Sequence, residues 1–176
     1  MRNPAYYRKL WATMQILPGW CARVDRAAVL VRKYRKTLYD DLPAPWELVG
    51  VIHYMECGCR PDRQIFNGEQ WDQKTVLYPP NHGPWPSWRD AAIEALARHP
   101  LKTLRDIEAW NGYGYQRRGV NSPYLWSGSN HGVGVGKYVA DGQYDPDAVS
   151  KQIGAALVLS ALGWKPAAMP LKGQAK

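Results

Sequence analysis

Apolar positions recur at helical spacing along most of this chain, and the interruptions mark the elements. Residues 3–16 read as a short helix that Pro18-Gly19 stops. Val24, Ala27, Ala28, Val31, Tyr34 and Leu38 continue the period and predict a second helix through about residue 39. Asp40-Asp41-Leu42-Pro43-Ala44-Pro45 breaks it. A third helix is expected from about Pro45, suited to a first turn, to about Cys57, with Leu48, Val51, Ile52 and Met55 inward. Between Gly58 and Ser87 the period vanishes, and Asn67-Gly68 predicts a small hairpin there. Ser87 is placed to cap a helix over 88–98, and a further helix is expected over 102–114. Residues 116–146 read as irregular and glycine-rich. Asp145-Pro146 would open a last helix over 147–163 with Val149, Ile153, Ala156, Leu157 and Ser160 along one stripe, and 164–176 reads as a tail. The expected fold is mainly α, one domain, with a small β-hairpin or irregular lobe beside the third helix. It holds no internal repeat and no parallel sheet.

Composition narrows what such a domain could bind. The 176 residues suit one domain, and 45% hydrophobic content excludes wholesale disorder. Lys+Arg 23 against Asp+Glu 15 leaves +8, which suits an anionic partner such as nucleic acid, a membrane face or a bacterial envelope. The cluster Arg23, Arg26, Arg32, Lys33, Arg35 and Lys36 reads as the solvated face of the second helix. The aromatic set is lopsided, with Trp 9, Tyr 11 and Phe 1, and Trp and Tyr pair a flat apolar face with a polar handle. Sugars or stacked bases are the ligands that use both. With no run of 18 apolar residues, stable membrane insertion is not expected. Cys21, Cys57 and Cys59 read as reduced thiols. Leu10 to Leu17 is short, holds Thr13 and Gln15, and runs into Pro18-Gly19-Trp20 without a small-x-small site, so no cleaved signal is expected.

Glu56 is the first candidate for chemistry. It falls at the end of an apolar helix, the negative end of the macrodipole, and shares a helical face with His53. A carboxyl among apolar neighbours keeps its proton to higher pH, as a general acid requires. Cleaving a glycosidic bond then needs a second carboxylate or a positioned water. Glu69 and Asp72, with Thr75 after them, follow in the irregular stretch.

These residues form a recognisable set. His53-Tyr54-Met55-Glu56, then Phe66-Asn67-Gly68-Glu69, then Lys74-Thr75-Val76-Leu77-Tyr78-Pro79 resemble phage endolysins and related prophage proteins of the lysozyme superfamily. So do Glu108-Ala109-Trp110-Asn111-Gly112-Tyr113-Gly114-Tyr115, Asn121-Ser122-Pro123-Tyr124-Leu125-Trp126-Ser127 and Gly136-Lys137-Tyr138-Val139-Ala140-Asp141-Gly142. Ala109-Trp110-Asn111-Gly112 is also similar to a stretch of goose-type lysozymes and lytic transglycosylases. The resemblance runs from about residue 45 to 163. It implies a lysozyme-like fold that cleaves peptidoglycan between N-acetylmuramic acid and N-acetylglucosamine. Glu56 would be the general acid, Glu69 the second carboxylate, and Thr75 would help hold the attacking water. Where the family has Asp, position 69 has Glu, and Gln70-Trp71-Asp72 replaces its P-L-T, so Asp72 stands as an alternative second carboxylate. If neither acid reaches the bond, a lytic transglycosylase remains open. Expected glycan contacts are His53, Asn67, Trp71, Trp110, Asn111, Tyr113, Tyr115, Tyr124 and Trp126, in a cleft between residues 58–86 and 111–140. Trp88, Tyr34 and Trp164 read as core.

The rivals are weaker. His53-x-x-Glu56 lacks the second histidine of a zinc-peptidase helix, and Cys57-x-Cys59 adds only soft ligands, so neither metal nor cofactor is expected. The basic residues are dispersed and carry no nucleic-acid motif, so no nucleic-acid partner is expected. A non-catalytic wall-binding module is the third alternative. The expected agent is a monomer made in a host cytoplasm and acting on the periplasmic wall.

Overall fold

The computed structural model describes residues 2–77 and 79–167. The fold is mainly helical: α1 (Pro4–Ala12), α2 (Cys21–Lys33), α3 (Trp46–Cys57), α4 (Trp88–Arg98), α5 (Leu104–Trp110), α6 (Gly114–Arg117), α7 (Pro123–Trp126) and α8 (Ala155–Leu162). One antiparallel pair, β1 (Lys137–Ala140) and β2 (Gln143–Asp145), completes it, with Tyr138 opposite Tyr144.

The core is organised around α8. Its residues Ala155 to Leu159 and Leu162 are buried, and a helix apolar on nearly every face belongs in an interior. It packs against α2, α3 and α7. α3 is almost as enclosed, burying Leu48 through His53 and Met55. Gly50 lets α3 lie close to its neighbours: a Cβ there would stand 2.5 Å from Val31 Cγ1 on α2 and 3.0 Å from the Tyr39 ring.

Several elements differ from the pattern's expectation, for local reasons. α1 stops at Ala12, and α2 ends at Lys33 before the chain tightens into a π turn over Arg35–Tyr39 that buries Tyr39. Thr103 and Asp106 form a reciprocal capping box that starts α5 at Leu104, and Gly112 at φ 76° separates it from α6. The last helix begins at Ala155, not 147. The Asp145 carboxylate accepts the N–H groups of Asp147 and Ala148 and turns the chain, so Val149 is 75% exposed rather than inward. Gly154 then lies flat on α7, where a Cβ would meet the Leu125 carbonyl at 2.3 Å.

The hairpin is also elsewhere. Around Asn67-Gly68 there is a single antiparallel bridge, Arg63 to Gln70, because side chains rather than a ladder satisfy that turn. The strand pair forms at 137–145 across Asp141-Gly142, where Gly142 takes φ 69°. Residues 164–167 belong to no helix or strand, and the rest of the expected tail lies outside the described residues. Trp88 is buried, while Tyr34 and Trp164 are partly buried against the core.

The close approach at Gly50 makes a test of this packing. Gly50→Ala should lower stability by about 1–3 kcal/mol despite alanine's better helix propensity, read as an earlier urea midpoint.

Candidate active site

α3 delivers Glu56 to the edge of the core in its last turn. Gly58 ends the helix in the left-handed region at φ 65°, its N–H bonding the Tyr54 carbonyl at 2.9 Å. The Glu56 Oε1 accepts the Tyr124 hydroxyl at 2.7 Å, from α7. Burial pushes the Glu56 carboxyl up to about 7, and the Tyr124 hydrogen bond offsets part of that rise. No ion pair with Glu56 occurs among the described residues. A carboxyl with one neutral donor and no cation is protonated at mildly acid pH and poised near neutrality.

His53 stands one turn back and faces inward. It is fully buried, which leaves no surface for the ligand contact expected of it. The Arg60 carbonyl can only accept, so Nε2 donates to it at 2.8 Å, and Nδ1 accepts the Tyr39 hydroxyl at 2.9 Å. Burial lowers this imidazole to about 4, leaving it neutral. Its task is positional: it ties the chain leaving α3 to the helix that carries Glu56.

The irregular lobe that follows is built on side-chain bonds. The buried Gln64 accepts the N–H groups of Phe66 and Asn67 through Oε1, and its amide donates to Asn67 Oδ1. Asn67 in turn donates to Glu69 Oε2 at 2.9 Å. Gly68 rests on the end of α3, where a Cβ would stand 2.7 Å from the Glu56 carbonyl oxygen. The neighbouring Glu69 carboxylate accepts the N–H groups of Val76 and Leu77 at 3.0 and 3.1 Å. Three N–H donors therefore hold it within the lobe. Thr75 is buried; its hydroxyl donates to the Pro79 carbonyl at 2.5 Å and accepts the His82 N–H at 3.0 Å. The hydroxyl expected to hold a water has its one proton committed to a carbonyl. Asp72 is exposed.

A cleft of about 650 Å³ opens beside the α7 end of this arrangement. Asn111, Tyr115 and Tyr124 line one side, Lys137, Tyr138 and Asp141 of the hairpin another, and Ser150, Lys151 and Gln152 a third. Two of these lining residues reach the last turn of α3: Tyr124 bonds the Glu56 carboxyl, and Gln152 donates to the Met55 carbonyl at 3.0 Å. Glu56, itself partly buried, is thus tied to the cleft lining through Tyr124, and Gly68 of the lobe lies against its backbone. The lining comes from residues 111–152, and the 58–86 segment contributes none of it, unlike the expected cleft between 58–86 and 111–140.

The other expected contacts divide. Tyr113 lies outside this cleft, beside Arg2, Gln116 and Arg117. Trp126 is fully buried and serves the core rather than a ligand. Trp110 is partly buried in an aromatic cluster with Phe66 and His99. Trp71 donates to the Pro61 carbonyl at 3.1 Å, within the lobe. Gln64, Lys137, Lys151 and Gln152 were not anticipated. The hairpin lysine lies in a quoted motif, but nothing local marks Gln64 or Gln152.

Among the described residues no group of three or more His, Cys, Asp and Glu side chains could hold a metal ion. All three cysteines are free, and burial pushes Cys57 and Cys59 up to about 11 and about 12, far from thiolate chemistry. No helix among the described residues is long and apolar enough to cross a membrane. Compared with protein-family models, curated proteins and solved structures, the chain finds no match in any of the three.

Two measurements test this geometry. Because the folded state favours protonated Glu56, its contribution to stability is present below the ordinary value of 4.5 and is lost as pH rises through about 7. Glu56→Gln, which keeps an acceptor for Tyr124, should therefore gain roughly 3 kcal/mol over the parent between pH 4 and pH 8 in urea denaturation. An equal difference at both pH values would mean that the carboxyl is solvated. Tyr124→Phe removes a donor that favours the carboxylate, so carbon-13 titration should find Glu56 protonated to still higher pH.

Proposed function

We propose that this chain is a peptidoglycan-cleaving glycosidase of the endolysin type, with a lysozyme-like fold and Glu56 as general acid. Its bond is the β-1,4 link from N-acetylmuramic acid to N-acetylglucosamine. One observation carries the reading: a partly buried carboxyl without a cation, poised near neutrality and hydrogen-bonded to a residue that lines a cleft large enough for several sugars. Protonated Glu56 would give its proton to the glycosidic oxygen, so that the leaving sugar departs as an alcohol while positive charge develops on the muramic C1. Asn111 and Gln152 supply amide donors and acceptors suited to N-acetyl groups, and Tyr115 and Tyr138 supply ring edges and faces. The net charge of +8 would draw the chain to an anionic wall as a monomer, without nucleic acid, metal or cofactor.

What completes the reaction separates two readings. In hydrolysis, water adds to C1 and its proton passes to a carboxylate, for which Glu69 and Asp72 are the candidates. In transglycosylation, the muramic C6 hydroxyl closes on C1 and returns its proton to Glu56. The commitment of Glu69 to three N–H donors and of Thr75 to the Pro79 carbonyl favours the second, which asks only one acid of the protein.

The decisive experiment is digestion of purified wall with product mass analysis. Reducing ends indicate hydrolysis, 1,6-anhydro ends transglycosylation, and cleaved stem peptides would replace the glycosidase reading with an amidase or peptidase. Glu56→Gln should cut the rate by about 10²–10⁴-fold with the fold intact. The parent's activity should fall on the alkaline side near pH 7, as Glu56 loses its proton. Retained lysis by the variant removes Glu56 from the role.

A further inference from the structure

The basic stretch that begins in α2 is not uniform. Arg35 and Lys36 pair with Asp40 at 2.8 and 3.0 Å. Arg32 donates to the Ala161 carbonyl at 2.6 Å, and the Lys33 ammonium lies over the Tyr34 ring. Arg23 and Arg26 are placed differently. Three positions apart on one face of the helix, they line a cavity of about 210 Å³ with Ala27, Leu30, Tyr54 of α3 and Ile153 of the segment before α8. Every polar side chain of this lining can donate a hydrogen bond, and none is an acid. Asp25 lies between the two arginines in sequence, does not line the cavity, and has no ion pair among the described residues.

These donors are held in place and largely unspent. The Arg23 guanidinium stacks on Trp20, its Cζ 4.3 Å from the ring centroid, and gives one hydrogen bond of 2.7 Å to the Lys151 carbonyl. A guanidinium has five N–H groups, so most of them remain for a ligand. The Arg26 guanidinium and the Tyr54 hydroxyl make no hydrogen bond or ion pair among the described residues. Burial raises the Tyr54 phenol, and Arg23 and Arg26 both act on it in the opposite sense, which puts the two cations within electrostatic reach of one hydroxyl. Ala27 and Ile153 are buried, so the cavity joins these donors to an apolar base.

We propose that this cavity, formed by Arg23, Arg26 and Tyr54, is a phosphate-binding site separate from the main cleft. A phosphate monoester brings three terminal oxygens, enough for two guanidinia and a hydroxyl, whereas a carboxylate brings two. The planar fork of each guanidinium matches a pair of phosphate oxygens. The assignment does not depend on what the main cleft binds. The two places are nevertheless joined: Lys151, whose carbonyl takes the Arg23 bond, and Gln152 line the cleft, and the next residue, Ile153, lines the cavity. A phosphate held by Arg23 would therefore lie one hydrogen bond from the third wall of the cleft. Free phosphate compounds and lipid headgroups share this chemistry.

The test is titration of the whole chain with inorganic phosphate, followed by calorimetry and by the nitrogen-15 signals of the arginine side chains, with ionic strength held constant by chloride. A Kd on the order of 1 mM is expected, with the Arg23 and Arg26 signals moving. Arg26→Ala should weaken binding at least about tenfold, and Tyr54→Phe about three- to tenfold. Neither group holds another part of the fold, so urea midpoints should match the parent's. Lys33→Ala removes the same charge from the same helix outside the cavity, and should change the affinity by less than about twofold. Phosphate binding no tighter than that of chloride, full affinity in either cavity variant, or an equal loss in Lys33→Ala and Arg26→Ala would each overturn the proposal. Phosphatidylcholine vesicles containing phosphatidic acid identify the source of the phosphate. Retention on them that Arg26→Ala reduces more than Lys33→Ala makes the ligand a lipid headgroup; retention indifferent to Arg26→Ala, with inorganic phosphate still bound by the parent, makes it a free phosphate.

Discussion

Placing one carboxyl where water reaches it poorly is the constraint around which this molecule is arranged. A glutamate at the end of a buried helix faces a negative dipole end and loses its hydration, and with no cation to compensate it keeps its proton. Everything that encloses it is structural. α8 and α2 bury the body of α3, Gly58 stops the helix one turn beyond His53, and His53 itself fastens the departing chain. Gly68 lets the lobe close onto the Glu56 backbone, and Tyr124 of the cleft lining bonds its carboxyl.

The lobe shows how a fold manages without regular structure. Over some thirty residues, few backbone groups pair in a ladder, so side chains take their place. Gln64 and Asn67 satisfy the turn from inside, the Glu69 carboxylate gathers two loop N–H groups, and Thr75 bridges Pro79 and His82. Asx-like and glutamine-based bonding of this kind gives a rigid lobe with no apolar period. It also ties the Glu69 carboxylate and the Thr75 hydroxyl into bonds within the lobe.

Legibility in the sequence followed the range of the forces involved. The apolar periods of α2, α3 and α4, the Ser87 cap and the unusual position of Glu56 are local signals, and they were readable. The start of α8 was not. Val149 and Ile153 fit a helical stripe, but the Asp145 carboxylate and the flat contact of Gly154 on Leu125 impose an extended strap that no local pattern encodes. The hairpin had its Asp-Gly signal at 141–142, overshadowed by Asn67-Gly68, whose turn is satisfied by side chains instead of strands. Burial of Trp126 and His53 could not be told from ligand contact by residue type, because aromatic and imidazole groups serve both purposes. Gln152 reaches Met55 across 97 positions, a distance at which sequence alone is silent.

The hydrogen bond from Tyr124 to Glu56 spans 68 positions of chain. In a chain in which α7 has not yet docked, Glu56 would lose both this partner and much of its enclosure and titrate as an ordinary hydrated glutamate. The environment of this one side chain is therefore set by the docking of a short helix from far along the chain.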